Sequence, residues 1–283
     1  MIYPYLVHKT KVLDNEVAYI DEGNQEAETL VFVHGLGSYL MVWRKNIALL
    51  SLKYRCIALD LPGYGFSDKR HYEFDLDFYS NLVGQFINQL NLKKVTLIGH
   101  SMGGQISMIT ALKFPNLLQN LCLVATAGFE KFNSFQKSWL INASSAENLK
   151  LLTRKRIALN MTNNFKNVPD DVLYLVKDTV EFTFDNFERY CYTISSNVRS
   201  MIEMPVYSQL SKIQTPTLVI FGEDDALIPN RLFSFSSTKS IAQKGTRKIP
   251  NAELLLIPDC GHFVQYERAD LVNFAIDRFV TNE

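Results

Sequence analysis

Short, nearly continuous apolar segments recur along this chain, and stretches with helical spacing separate them. Strands that are apolar at almost every position belong to sheets that are covered on both faces. Alternation of such strands with helices indicates parallel βα units, so we predict a mostly parallel central sheet flanked by helices. The predicted strands are residues 30–33, 54–59, 95–98, 121–125, 217–221 and 253–257.

Two regions depart from this alternation. Residues 11–13 and 17–20 flank the polar triplet 14–16, which predicts an antiparallel hairpin at the edge of the sheet. Residues 128–212 are mostly helical in pattern and contain no convincing strand. Most aromatic residues of this insert fit its own core, whereas a few would line an apolar pocket over the sheet. The aromatic residues include Phe129, Phe132, Phe135, Trp139, Phe165 and Phe182.

The charge balance limits the classes of partner. Lys and Arg together number 29, as do Asp and Glu, so the formal net charge is zero. A chain without a basic excess lacks the electrostatic surface of a nucleic-acid-binding protein. No apolar run approaches the roughly 18 residues of a membrane helix, and no secretory signal is visible. The four cysteines lack C-x-x-C spacing. We expect a cytoplasmic protein with reduced thiols and with neither nucleic-acid nor membrane partners.

A serine between glycines follows one predicted strand. The run Gly-His-Ser-Met-Gly-Gly occupies residues 99–104, directly after strand 95–98 and before a helix. A G-x-S-x-G run in this position is the pattern of a nucleophile elbow, in which glycines let the chain reverse around a strained serine. The helix also begins beside Ser101, so the Met102 N–H can stabilise a developing oxyanion. Ser101 is therefore the candidate nucleophile.

A serine hydroxyl needs a general base, and the base needs an acid that orients it. Among five histidines, His262 is the best base, because it follows strand 253–257. The carboxyl end of a parallel strand opens on the same rim of the sheet as Ser101. The acid should come from another such loop, after strand 217–221. Three acids compete there, namely Glu223, Asp224 and Asp225.

Five sequence elements, taken in chain order, resemble those of the α/β-hydrolase fold superfamily. These elements are residues 34–37, 60–67, 99–104, 222–229 and 261–262. By this resemblance Ser101 is the nucleophile and His262 the base. The G-x-x-D-x-x-x-P pattern of residues 222–229 selects Asp225 as the acid. The resemblance covers the predicted core and implies a mostly parallel sheet with an inserted helical cap.

The resemblance also implies roles for other residues and a division of the chain. The backbone N–H of Leu36 would join that of Met102 in an oxyanion hole, while His34 and Asp60 would be structural. Residues 1–127 and 213–283 would form the α/β-hydrolase core domain, and residues 128–212 the helical cap. No metal and no organic cofactor is implied.

The resemblance predicts a serine hydrolase of the carboxylic ester type that works through an acyl-enzyme. Its substrate would be a small molecule with an apolar acyl group. Related chemistries on this fold remain alternatives, namely a C–C bond hydrolase, a proline iminopeptidase or an acyltransferase. A hydrolase-fold binding protein without turnover is a further alternative. The sequence predicts no particular oligomeric state.

Overall fold

The computed structural model describes residues 3–70 and 74–281. Eight strands form one sheet in the order β1-β2-β4-β3-β5-β6-β7-β8. The strands are β1 His8–Val12, β2 Asn15–Glu22, β3 Thr29–Val33, β4 Arg55–Leu59, β5 Val95–His100, β6 Leu118–Val124, β7 Thr217–Gly222 and β8 Ala252–Ile257. The pairs β1–β2 and β2–β4 are antiparallel, and all other pairs are parallel. The predicted mostly parallel sheet is confirmed.

Helices pack on the sheet in the way its buried strands require. The helices are α1 Arg44–Leu50, α2 Leu76–Gln89, α3 Met102–Lys113, α4 Ser134–Ala143, α5 Ala146–Leu149, α6 Arg154–Thr162, α7 Val172–Asp185, α8 Phe187–Glu203, α9 Thr238–Thr246, α10 Val264–Glu267 and α11 Ala269–Thr281. Helix α3 packs against β5 and β6, and α9 packs against β7 and β8. Every residue of β3, β5 and β7 is buried, as expected for parallel strands covered on both faces.

The edge hairpin is present, but its turn is not at the predicted triplet 14–16. Val12 pairs with Asn15, so the loop consists of Leu13 and Asp14 alone. Their φ angles are 46° and 62°, and positive φ at both central positions is typical of a type I′ turn. The pattern placed the turn on polar residues because leucine rarely adopts this conformation.

Helices α4 to α8 lie between β6 and β7, and the described part of the chain contains no strand in this interval. The boundaries of a cap at residues 128–212 stay a prediction. All four cysteines are buried and free. Within residues 3–70 and 74–281, no helix is both long enough and apolar enough to cross a bilayer.

Candidate active site

Ser101 lies at the sharp turn between β5 and α3. Its φ and ψ angles are 54° and −117°, a sparsely populated conformation that costs a non-glycine residue on the order of 1–3 kcal/mol. A Cβ atom at Gly99 would lie 2.3 Å from the carbonyl oxygen of Gly103. One at Gly103 would lie 2.4 Å from the carbonyl oxygen of Val33. Glycine on both sides of the serine therefore lets the chain make this turn without a collision between a side chain and the backbone.

The backbone amides of Leu36 and Met102 lie beside this turn. Met102 is the first residue of α3, where the helix leaves its N–H groups without internal partners. Gly35 approaches from the other side, since a Cβ atom built on it would lie 3.0 Å from the Ser101 Cβ. In the described parts of the chain, neither the Leu36 nor the Met102 N–H donates to another protein group. Both amides are thus available for an anionic oxygen near Ser101.

The structure brings His262 together with one of the three competing acids. The Nδ1 atom of His262 lies 2.8 Å from Oδ2 of Asp225, and both side chains are buried. The other carboxylate oxygen of Asp225 accepts from the N–H groups of Leu227 and Ile228, at 2.8 and 2.9 Å. With both oxygens engaged, the Asp225 carboxylate has one orientation. Asp224, by contrast, is exposed to solvent.

The backbone of His262 is held on both sides. Its N–H donates to the carbonyl oxygen of Asn164 at 2.8 Å. Its carbonyl oxygen accepts from Nε2 of His100 at 3.0 Å. His100 must then carry its proton on Nε2, and burial lowers the pKa of this imidazole well below its usual range. The neutral ring of His100 thus supports the backbone of the candidate base.

His34 and Asp60, for which the resemblance implies structural roles, are buried and hydrogen-bonded within the core. The Leu61 N–H donates to Nε2 of His34, and burial lowers the pKa of His34 to about 4. Asp60 is fully buried and accepts from the N–H groups of Leu40 and Phe66 and from the Tyr3 hydroxyl. Burial raises the pKa of Asp60 to about 6. Of the five histidines considered as the base, His71 lies outside the described residues.

Ser101 and His262 line the same cavity, whose volume is about 540 Å³. This volume is within the range of small-molecule sites, roughly 300–1,000 Å³. Most of the lining residues that the insert contributes are apolar. Among the insert's aromatic residues that the sequence analysis names, Phe132 lines the cavity. The lining side chains of the insert include Phe132, Leu140, Val198, Met201, Ile202, Pro205 and Tyr207. Phe129 and Phe165 are buried, whereas Phe135 is 73% exposed.

Three charged residues of the cavity had no signal in the sequence pattern. Glu130, Lys131 and Lys137 line it, and none of them belongs to a motif. Oε1 of Glu130 accepts from the Asn230 N–H at 2.8 Å, and burial raises the pKa of this carboxyl to about 7. Neither lysine forms an ion pair with a carboxylate of the described chain. The cavity therefore contains charges that a substrate can engage.

The described residues contain no group of three or more His, Cys, Asp or Glu side chains arranged to hold a metal ion. The prediction that the protein uses no metal or organic cofactor stays a prediction.

Comparison with known proteins defines the class of this chain. Residues 28–269 match the family model of the alpha/beta hydrolase fold, and the chain belongs to this family. It is 29% identical over 279 residues to an uncharacterized hydrolase, YugF, of Bacillus subtilis, covering 93% of this chain and 94% of that protein.

Two further similarities concern proteins with more specific names. The chain is 27% identical over 277 residues to a 2-hydroxy-6-oxononadienedioate/2-hydroxy-6-oxononatrienedioate hydrolase of Cupriavidus pinatubonensis. That match covers 90% of this chain and 88% of the relative. The structure of a thermophilic esterase from Thermogutta terrifontis superposes with a TM-score of 0.81 at 22% identity, covering 98% of each chain. This structural likeness shows the shared fold.

Proposed function

We propose that this hydrolase cleaves a small-molecule carboxylic ester, or a related acyl bond, with Ser101 as the nucleophile. One observation carries the proposal: strained Ser101 shares a cavity with His262, whose Nδ1 lies 2.8 Å from buried Asp225. A nucleophile, a base and an orienting acid are the parts that acyl transfer requires. The mostly apolar lining of the cavity supports a substrate with an apolar acyl group.

In the proposed mechanism, His262 removes the proton of the Ser101 hydroxyl as Oγ attacks the carbonyl carbon. The oxyanion that forms accepts hydrogen bonds from the Leu36 and Met102 N–H groups. His262 then gives the proton to the leaving alcohol, and water cleaves the acyl-enzyme by the same steps. Asp225 holds the tautomer of His262 with the proton on Nδ1 and stabilises the imidazolium.

Hydrolysis of p-nitrophenyl esters, from acetyl to long acyl chains, tests this proposal directly. We expect wild-type turnover, and we expect Ser101→Ala to lower kcat by a factor on the order of 10⁶. Ser208 lines the same cavity and serves as the matched serine. A fluorophosphonate should label the Ser208→Ala variant but not the Ser101→Ala variant. Labelling that persists in Ser101→Ala would contradict the assignment of the nucleophile.

A C–C bond hydrolase is the second candidate, and the charges of the cavity favour it. Lys131 and Lys137 could bind the carboxylates of a dioate such as the one in the name of the Cupriavidus relative. Turnover of 2-hydroxy-6-oxononadienedioate with kcat/KM above that of every ester would establish this reaction. We then expect Lys131→Met and Lys137→Met to raise KM, since each removes one cation from the cavity.

The remaining alternatives are distinguished by the products. An acyltransferase would form more of its product when an acceptor alcohol or amine is added, whereas hydrolysis needs only water. A proline iminopeptidase would release N-terminal proline from peptides. Labelling of Ser101 without multiple turnover on any of these substrates would favour a binding protein.

A further inference from the structure

A short segment of the insert lies directly on the loop that carries His262. We name residues 164–167, which follow α6, the strap, and residues 258–263 the histidine loop. The carbonyl oxygen of Asn164 accepts the His262 N–H at 2.8 Å. The Asn167 side-chain amide donates to the carbonyl oxygen of Asp259 at 2.9 Å. The strap therefore contacts the histidine loop through its backbone and through a side chain.

Packing between the two segments is equally close. The rings of Phe165 and Phe263 are stacked, with centroids 4.8 Å apart and an interplanar angle of 14°. A Cβ atom at Gly261 would lie 2.6 Å from the Asn164 carbonyl oxygen and 2.7 Å from the Lys166 nitrogen. Only glycine lets the strap come this near to His262.

One carboxylate joins both segments. Glu267, the last residue of α10, accepts the Gly261 N–H at Oε2 at 3.0 Å. The same oxygen accepts the Lys166 N–H at 3.1 Å, and Oε1 accepts the Asn167 N–H at 2.7 Å. A carboxylate can accept several such bonds, and bonds to an ionised acceptor are stronger than neutral ones. Glu267 thereby ties the strap to the residue that precedes His262.

We propose that Glu267 is a positioning residue that keeps His262 in line with Ser101 by clamping the strap onto the histidine loop. This inference rests on the proposed function, because it assigns to Glu267 an effect on the base of that reaction. Glu267 does not line the cavity, so it acts only through the backbone of the histidine loop. The strap belongs to the insert, so the insert supports the base as well as lining the cavity.

The exposure of the three residues shows which backbone N–H group would be left without an acceptor if Glu267 were replaced. Lys166 and Asn167 are exposed, so water can replace the carboxylate at their N–H groups. Gly261 is buried, so its N–H would lose its acceptor without replacement. We therefore expect the backbone to shift at Gly261, the residue next to His262. A shift of about 1 Å in a catalytic group can lower a rate by a factor on the order of 10².

Substitution of Glu267 tests the inference, because a positioning residue should affect kcat and leave KM nearly unchanged. Glu267→Gln keeps the size of the side chain but replaces one acceptor oxygen with an NH2 group, so at least one of the three backbone N–H groups faces a donor. We expect kcat to fall roughly tenfold to a hundredfold with KM nearly unchanged. Glu267→Asp keeps two acceptor oxygens and should recover part of kcat. Asp270→Asn, which removes an exposed carboxylate three residues away, is the control and should leave kcat at the wild-type value.

A second variant perturbs the same contact from the strap. Asn167→Ala removes the hydrogen bond to Asp259 and leaves Glu267 in place. If both residues serve one clamp, the double variant Asn167→Ala/Glu267→Gln should lose less kcat than the product of the single losses. Independent, multiplicative losses would overturn the proposal. So would a Glu267→Gln variant with the kcat of Asp270→Asn.

Hydrogen exchange separates the failure of this inference from the failure of the proposed function. In Glu267→Gln we expect faster amide exchange confined to peptides that span the strap and the histidine loop. This measurement needs no substrate, so it decides the clamp even if wild type hydrolyses none of the esters. Unchanged exchange in both peptides would overturn the proposal in an active or an inactive enzyme.

Discussion

At the scale of single residues, the carboxylate of Asp225 is the most constrained group of the site. It is fully buried, and its two oxygens accept from His262, Leu227 and Ile228. A buried carboxylate is tolerated when each oxygen is hydrogen-bonded in this way. The backbone donors hold the acid, and the acid in turn holds the imidazole of His262.

Asp225→Asn should therefore remove most of the activity without removing the fold. Asparagine is nearly the size of aspartate, so the fold should be kept. Its side-chain N–H groups would face Nδ1 of His262, however, and would stabilise the wrong tautomer of the imidazole. We expect kcat to fall by a factor on the order of 10⁴. The neighbouring variant Asp224→Asn is the control and should lower kcat by less than about threefold, because Asp224 is exposed. Equal losses in the two variants would contradict the choice of Asp225.

A site residue could be predicted from the sequence when the residues that constrain it are its neighbours in the chain. Ser101 could be predicted from its neighbours, because the elbow is a property of five consecutive residues. The choice among Glu223, Asp224 and Asp225 could not be made in this way, because the deciding contact is with His262, 37 residues away. Family resemblance selected Asp225, and it is the acid that the structure brings to His262.

At the scale of elements, burial made the strands predictable. All six predicted apolar segments coincide with strands of the sheet, and their ends differ by at most three residues. The hairpin turn was misplaced because Leu13 takes a left-handed conformation that its residue type does not indicate. The sequence also predicted a helical insert, but periodicity alone could not show that residues 164–167 contact the histidine loop.

A side chain at Gly103 should destabilise the junction of β5 and α3. A Cβ atom there would meet the carbonyl oxygens of Val33 and His34, which belong to a central strand and its loop. We expect Gly103→Ala to lower the free energy of unfolding by about 1–3 kcal/mol, measured by urea denaturation. In Gly84→Ala the obstacle is the ring of Phe114, which can rotate, so that variant should lose less. The reverse ranking would contradict this account of the elbow.

At the scale of the whole molecule, the cavity joins parts of the chain that no local pattern connects. Glu130 lies at the start of the insert and contacts Asn230, which follows the loop of Asp225. The contact spans 100 residues, so neither periodicity nor a motif could reveal that a carboxyl group lies in the cavity. Its environment nevertheless has a consequence for global stability, because burial of an acid changes how tightly the folded protein binds its proton.

The pKa of Glu130 is raised from 4.5 to about 7, chiefly by burial. The folded state therefore binds this proton more tightly than the unfolded chain, and the stability that the protonated carboxyl contributes below pH 4.5 is lost as pH rises through 7. Glu130→Gln stays neutral and keeps an acceptor for the Asn230 N–H. Between pH 5 and pH 8, we expect its unfolding free energy to rise by about 2 kcal/mol relative to wild type. Urea denaturation at both pH values measures this, with exposed Glu203→Gln as the control. The contrary result is that the unfolding free energies of Glu130→Gln and wild type differ by the same amount at both pH values. That result would show that the folded protein does not bind the proton of Glu130 more tightly than the unfolded chain.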